Sequence, residues 1–251
     1  MTKKLLRNII PIKTFEQILS EDKVFSQSLR LHDVEANKKP YRHEVINFLL
    51  DQLKGDKKYL EIGVRNPNVN FNKINCETKY SVDPGIEFKE NPVDFKLTSD
   101  EFFNELSKGK ILDKGIKFDV IFIDGLHLAN QVYKDILNAL DYLTEDGFIV
   151  VHDCNPPTEY HAREDHGFTL SPARNFWNGS VWKAFYKMRF NVETSCFCID
   201  SDWGIGVISK QKIVAPLTED FNPFLEYFIF DSQRKESLNL MDFETFKSMI
   251  V

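Results

Sequence analysis

Two short polar runs in this sequence, Asp124-Gly125-Leu126-His127 and His152-Asp153-Cys154-Asn155-Pro156, each follow an apolar stretch directly. Together they hold two carboxylates and two imidazoles, side chains that bind divalent cations and move protons near neutral pH. If the apolar stretches are neighbouring strands of one sheet, Asp124, His152 and Asp153 converge beyond it and form a metal set. His127, about one turn further on, would then be a general base. The plainer alternative has these groups capping helices and bonding loop amides. A lone histidine favours that alternative; two histidines and two aspartates at one ligand-binding edge favour a site.

A second pair of signals lies upstream. The run Tyr59-Leu60-Glu61-Ile62-Gly63 ends in a glycine that lets backbone approach a ligand, and Asp83 follows Glu61 by twenty-two residues. An acidic residue at the end of a second strand can accept both hydroxyls of a ribose. Read locally, Glu61 caps a turn and Asp83 opens the Asp83-Pro84-Gly85 turn. No glycine-rich pyrophosphate loop follows the first strand; Asn66-Pro67 stands there and removes a backbone donor. A nucleoside without phosphates therefore fits better than NAD.

The elements that must position these residues follow from hydrophobic periodicity. Residues 1–38 are charged and weakly periodic and read as one or two helices. Val45, Ile46, Leu49, Leu50 and Leu53 recur at helical spacing before Gly55, giving a helix that leads into a first strand, Tyr59 to Val64. A short helix from about Pro67 to Ile74 precedes a second strand, Lys79 to Asp83, and Val93 to Leu97 reads as a third. Thr98-Ser99-Asp100-Glu101 is a capping-box pattern that starts a helix through Leu106. Phe118 to Asp124 and Gly147 to His152 are nearly continuous apolar runs, as strands covered on both faces should be. Between them Val132, Ile136, Leu140 and Leu143 mark one helix face. The segment 153–178 is polar, aromatic and aperiodic, a loop long enough to be functional, and we read it as an acceptor-selecting lid. A helix from Trp177 to Met188, strands Asn191 to Ile199 and Gly204 to Ser209 joined by Asp200-Ser201-Asp202, and a helix pair after Pro223 complete the chain. Alternating strands and helices specify a mostly parallel open sheet whose ligands bind beyond the carboxyl ends of the strands.

Composition narrows the function. The 251 residues, 42% hydrophobic, can bury one substantial core, and a net charge of −6 argues against nucleic acid as the partner. No apolar run reaches membrane-spanning length and no signal-peptide core opens the chain, so a cytoplasmic protein with no membrane partner is expected. The four cysteines do not make a disulfide framework or a zinc knuckle; Cys196 and Cys198 face one side of a strand as small buried hydrophobes.

Tyr59-Leu60-Glu61-Ile62-Gly63, Ser81-Val82-Asp83-Pro84, Phe118 through His127 and Asp146 through Asp153, in that order, resemble the motifs of class I S-adenosylmethionine-dependent methyltransferases. The Asp-Gly-x-His element with a polar pair after the next strand is similar in particular to the metal-dependent O-methyltransferases acting on sugar hydroxyls of macrolides. The resemblance runs from about residue 42 to 209. It implies a Rossmann-like, open, mostly parallel seven-stranded α/β sheet with a C-terminal antiparallel hairpin. It also implies Glu61 and Gly63 beside the methionine part of the cofactor, Asp83 on the ribose and Ser99 and Asp100 near the adenine. Asp124, which also borders the cofactor, and Asp153 become metal ligands, and His127 the base. Two positions depart from the pattern: the first-strand loop lacks a second glycine, and His152 stands where an acidic residue is usual. An all-oxygen set favours magnesium, whereas a mixed histidine and carboxylate set leans towards manganese, iron or zinc.

The expected organisation is an N-terminal helical extension over 1–38, a methyltransferase domain over 39–210 and a C-terminal helical appendage over 211–251 packed on it. The expected function is methyl transfer from S-adenosylmethionine to a hydroxyl of a small molecule, with a sugar among the candidates, assisted by a divalent cation, magnesium or manganese. A metal-independent methyltransferase, a non-catalytic binding domain of the same fold and, ranked lower, an NAD-linked oxidoreductase are the alternatives. The acceptor and self-association into a homo-oligomer stay open.

Overall fold

A computed structural model describes residues 17, 19–87, 90 and 92–250; residues 1–16 and 18 of the expected N-terminal extension lie outside that range. Its centre is a seven-stranded sheet: β1 (Lys58–Ile62), β2 (Thr78–Val82), β3 (Phe118–Ile123), β4 (Leu143–Val151), β5 (Ser195–Ile199), β6 (Ile205–Ser209) and β7 (Leu240–Met241). The order across the sheet is β2-β1-β3-β4-β6-β5-β7. Strands β2, β1, β3 and β4 are parallel, and β6 runs antiparallel between β4 and β5. The mostly parallel α/β sheet and its antiparallel hairpin are those expected.

The helices follow local signals. Helix α1 (Lys23–Asn37) starts at Asp22, whose carboxylate accepts from the Val24 and Phe25 amides. Helix α2 (Arg42–Gln52) has Glu44 in its first turn bonded back to the Tyr41 amide. The capping box at Thr98 and Glu101 opens α3 (Ser99–Ser107), satisfying two amides that the helix itself leaves unpaired. Helices α4 (Ala129–Tyr142) and α5 (Val181–Met188) follow β3 and the long loop. Three short helices, α6 (Tyr227–Ser232), α7 (Arg234–Leu238) and α8 (Phe243–Ile250), end the chain.

Strand alternation divides the core into two layers. Ile121 and Ile123 of β3 and Ile149 and Val151 of β4 meet Phe102, Ile136, Trp182 and Phe185 of α3, α4 and α5. Val120, Phe122, Phe148 and Val150 face the other way, onto Val45, Ile46, Leu49 and Leu50 of α2 and Phe246 of α8. Each such side chain contributes about 1.5–3 kcal/mol on burial. Cys196 and Cys198 lie buried in the first layer, as a one-sided pair on a strand should.

Three expectations are corrected. The strand expected over Val93 to Leu97 is a single bridge between Phe95 and Val82; Pro92 precedes it and supplies no ladder donor. The helix expected from Pro67 to Ile74 is one 3-10 turn, Phe71–Lys73. The final helix pair is three helices with β7 between α7 and α8, so the C-terminal segment adds an edge strand parallel to β5.

Candidate active site

The carboxyl ends of β1 to β4 open into a cavity of about 990 Å³ lined by Glu61, Gly63, Asp83, Ser99, Asp100, Asp124, His127, His152 and Asp153 together. The structure thus brings every residue singled out in the sequence to one cavity. Gly63 makes this possible at the first strand. Its φ is +94°, and a Cβ there would lie 2.3 Å from the Asp124 carbonyl oxygen, so only glycine lets the ends of β1 and β3 approach this closely. Glu61 is buried, and its Oε2 accepts from Tyr59 Oη at 2.6 Å and Asn70 Nδ2 at 2.9 Å. Burial outweighs those bonds and pushes the Glu61 carboxyl up to about 7. Asp83 Oδ1 accepts from the Gly85 amide at 2.6 Å, closing the Asp-Pro-Gly turn while the residue lines the cavity.

At the ends of β3 and β4 one ligand atom each from Asp124, His152 and Asp153 lies within 4.8 Å of the others. His152 Nδ1 is 3.3 Å from Asp124 Oδ1 and 3.2 Å from Asp153 Oδ2, and its Nε2 is 3.6 Å from Asp202 Oδ1. Both ring nitrogens are buried without a partner in hydrogen-bond geometry. His127 lies inside the same cluster rather than a turn away from it: Nε2 is 3.3 Å from Asp124 Oδ1 and Nδ1 is 3.3 Å from Asp153 Oδ2. Nδ1 donates to the Trp177 carbonyl at 3.1 Å, which fixes a proton there and makes Nε2 the nitrogen that gains or loses one.

Two residues that sequence reasoning did not single out complete the cluster. Arg42, at the start of α2, donates through Nη1 to Asp124 Oδ2 at 2.8 Å and through Nε to Asp202 Oδ2 at 2.9 Å. Asp202 comes from the turn between β5 and β6, read in the sequence only as a turn. The signal was the hairpin itself: β6 runs antiparallel to β4, so the turn before β6 must lie beside the residues after β4, and Asn155 N donates to Trp203 O at 2.9 Å there. Asn178 Nδ2 holds Asp153 Oδ1 at 2.7 Å. Asp153, Asp202 and Trp203 all have positive φ, of 63°, 43° and 67°, a conformation that costs non-glycine residues on the order of 1–3 kcal/mol and gathers at functional sites.

The charges are strongly coupled. Burial opposes ionisation of Asp124, yet His152, His127 and Arg42 around it hold its carboxyl well below the ordinary range. Burial also opposes charge on the imidazoles, but Asp153 and Asp124 hold both His127 and His152 above the usual histidine value. A buried imidazole whose Nδ1 faces two carboxylate oxygens at 3.2 and 3.3 Å suits a divalent cation. Such separations are those of ligands about 2.0–2.2 Å from a common centre.

Two other groups border the cavity. Gln131 Nε2 donates to Ser99 Oγ at 3.2 Å, Asp100 Oδ1 at 3.0 Å and Asp135 Oδ1 at 3.0 Å. Asp100 is also paired with Lys134 at 2.6 Å, whereas Asp135 is buried and desolvation pushes its carboxyl up to about 6. The other group is aromatic. His32 of α1 stacks on Phe176 with 3.4 Å between centroids and lies 5.0 Å from Trp203, and Trp177 stacks on His127. The loop 153–178 and α1 therefore share this wall, a role for the N-terminal helix that its weak periodicity did not reveal.

Residues 60–154 match the family described as a methyltransferase domain. No curated protein matches the chain. Among solved structures, the O-methyltransferase from Bacillus cereus in complex with SAH is 15% identical, over 78% of this chain and 95% of that one, with a TM-score of 0.42. The SAH-bound Podospora anserina methyltransferase PaMTH1 is 14% identical over 81% and 97%, with a TM-score of 0.44. MycE from the mycinamycin biosynthetic pathway, in complex with Mg, SAH and mycinamycin VI, is 11% identical over 78% and 57%, with a TM-score of 0.45. No helix among the described residues is long and apolar enough to cross a membrane.

Proposed function

We propose, from the premise that this chain carries a methyltransferase domain over residues 60–154, that it transfers a methyl group from S-adenosylmethionine to a hydroxyl of a small molecule. The observation that carries this reading is the single cavity that holds both Glu61, Gly63 and Asp83 and the cluster of Asp124, His127, His152 and Asp153. Its volume of about 990 Å³ is at the upper end for small-molecule sites, which suits a nucleoside cofactor and an acceptor side by side. In this reading Glu61 and Gly63 border the methionine part, Asp83 takes the ribose hydroxyls, and Ser99 and Asp100 border the adenine. The aromatic wall of Phe176, Trp177 and Trp203 beside carboxylates suits a sugar, whose apolar ring face and hydroxyls would meet both.

S-adenosylmethionine would supply an electrophilic methyl carbon: the acceptor oxygen bonds to it as the carbon–sulfur bond breaks. The chain's own part is to remove the hydroxyl proton and align the oxygen. His127 Nε2 takes that proton, its ring held by the Trp177 carbonyl and the stacked indole. Asp124, His152 and Asp153 would hold a divalent cation, which lowers the pKa of a bound hydroxyl. Arg42 favours a second, metal-independent reading, because its guanidinium already neutralises one oxygen of Asp124. Residues 39–210 would form most of the methyltransferase domain, with 1–38 an extension, while 211–251 complete its sheet with β7 and add Phe230, Leu238 and Phe246 to its core.

Two measurements test this. Calorimetry with S-adenosylmethionine and S-adenosylhomocysteine on folded protein should show binding; no heat with either sinks the reading. Labelled methyl transfer to a panel of sugars and other hydroxylated metabolites, before and after chelation and manganese re-addition, should show loss and recovery of turnover. Turnover that survives thorough chelation selects the metal-independent reading.

A further inference from the structure

We propose that Asp202 is a positioning residue for His152: its carboxylate faces the Nε2–H as hydrogen-bond acceptor, leaving the Nδ1 lone pair directed between Asp124 and Asp153. This rests on the cation reading above and assigns a part to a residue outside the predicted set. A neutral imidazole carries one proton on one of two nitrogens and can ligate a cation only through the other. The Nδ1 side of His152 faces Asp124 and Asp153 at 3.3 and 3.2 Å, the Nε2 side faces Asp202 Oδ1 at 3.6 Å, and neither nitrogen has a hydrogen-bond partner. A cation shared by the first two carboxylates therefore requires the proton on Nε2, and Asp202 Oδ1, 3.6 Å away, is the carboxylate oxygen that faces that N–H. A histidine ligand whose second nitrogen donates to a carboxylate is the arrangement that sets ring orientation and ligand basicity at metal sites.

Asp202 is itself built into place. Its Oδ2 accepts from the Arg42 backbone amide at 2.8 Å and from Arg42 Nε at 2.9 Å, so Oδ1 is the oxygen left towards the imidazole, 3.3 Å from Arg42 Nη2. Asp202, Trp203 and Gly204 form three successive positive-φ residues, and Cys154 N donates to Gly204 O at 3.0 Å. A tryptophan in the left-handed region is costly, and here that cost holds the turn against the end of β4. Arg42 ties the two sides together, because the same guanidinium bonds Asp124 Oδ2. The alternative is that Asp202 only caps α2 and pairs with Arg42.

Titration of the full chain with Mn²⁺, followed by the electron paramagnetic resonance signal of the free ion, separates these roles. Asp202→Asn should weaken Mn²⁺ binding about 10- to 100-fold, the usual loss when a metal ligand's outer partner is removed. Arg42→Gln removes the guanidinium but keeps the Asp202 carboxylate and the backbone amide that holds it, and should weaken Mn²⁺ binding clearly less than Asp202→Asn does. Equal weakening in both variants, or wild-type affinity in Asp202→Asn, overturns the proposal. Should Asp202→Asn fail to fold, ¹⁵N spectra of the wild-type histidine rings with Zn²⁺ decide: a proton on His152 Nε2 supports it and one on Nδ1 overturns it. A wild-type chain that binds neither ion overturns the cation reading as well.

Discussion

Gly63 at the end of β1 faces the carbonyl of Asp124 at the end of β3 so closely that a single added Cβ would sit 2.3 Å from that oxygen. The contact joins the expected cofactor turn to the acid cluster, so a change on one side moves the other. Gly63→Ala combines a backbone conformation that alanine resists with this clash, and we expect a loss of stability on the order of 2–4 kcal/mol. Urea denaturation measures it. A midpoint unchanged from the wild type would show that the two strand ends do not meet as described.

Asp83 should act through the ribose and not through the fold. Asp83→Ala is expected to weaken S-adenosylhomocysteine binding by about 1.5–3 kcal/mol, the loss of charge-assisted hydrogen bonds to two hydroxyls. Calorimetry reads this directly. If affinity holds and only thermal stability falls, the residue serves the Asp-Pro-Gly turn and nothing more.

Glu61 makes folding depend on pH. Burial raises its carboxyl to about 7 in the folded chain, above the ordinary carboxylate value, so the folded state binds this proton more tightly than the unfolded state. The stability it contributes is present below about pH 4.3, is lost as pH rises towards 7, and stays lost above that. The change is on the order of 3 kcal/mol for this buried group. Glu61→Gln keeps an oxygen for Tyr59 and Asn70 to donate to. Its unfolding free energy should therefore gain on the wild type between pH 5 and 8. Parallel profiles for the two proteins would exclude the raised carboxyl.

His127→Ala should keep cofactor binding and lower turnover about 100- to 10,000-fold, the range for loss of a positioned base. Comparing S-adenosylhomocysteine affinity with the rate of methyl transfer separates the two effects. A variant that turns over at the wild-type rate would leave His127 as a packing partner of Trp177.

What the sequence by itself determined was the local part of this protein. Long apolar runs ending in polar residues mark buried parallel strands and their carboxyl ends. That Glu61, Gly63, Asp83, Asp124, His152 and Asp153 fall at the carboxyl ends of strands, around one cavity, was legible for that reason. The capping box at Thr98 and the helix face of α4 were legible too, because their bonds and spacings lie within four residues. Tertiary structure alone decided the rest. Arg42 meets Asp202 across 160 residues and Asp124 across 82, so no local pattern could pair them. The expected third strand shrank to one bridge because an edge segment gains ladder bonds on one side only. His32 joined the aromatic wall because α1 folds over the cavity, and His127 entered the acid cluster because the loop carrying Trp177 turns its ring inward. A charged or aromatic side chain reports its type in the sequence, but its partner is chosen by which strand ends and turns the packed sheet brings within a few ångströms.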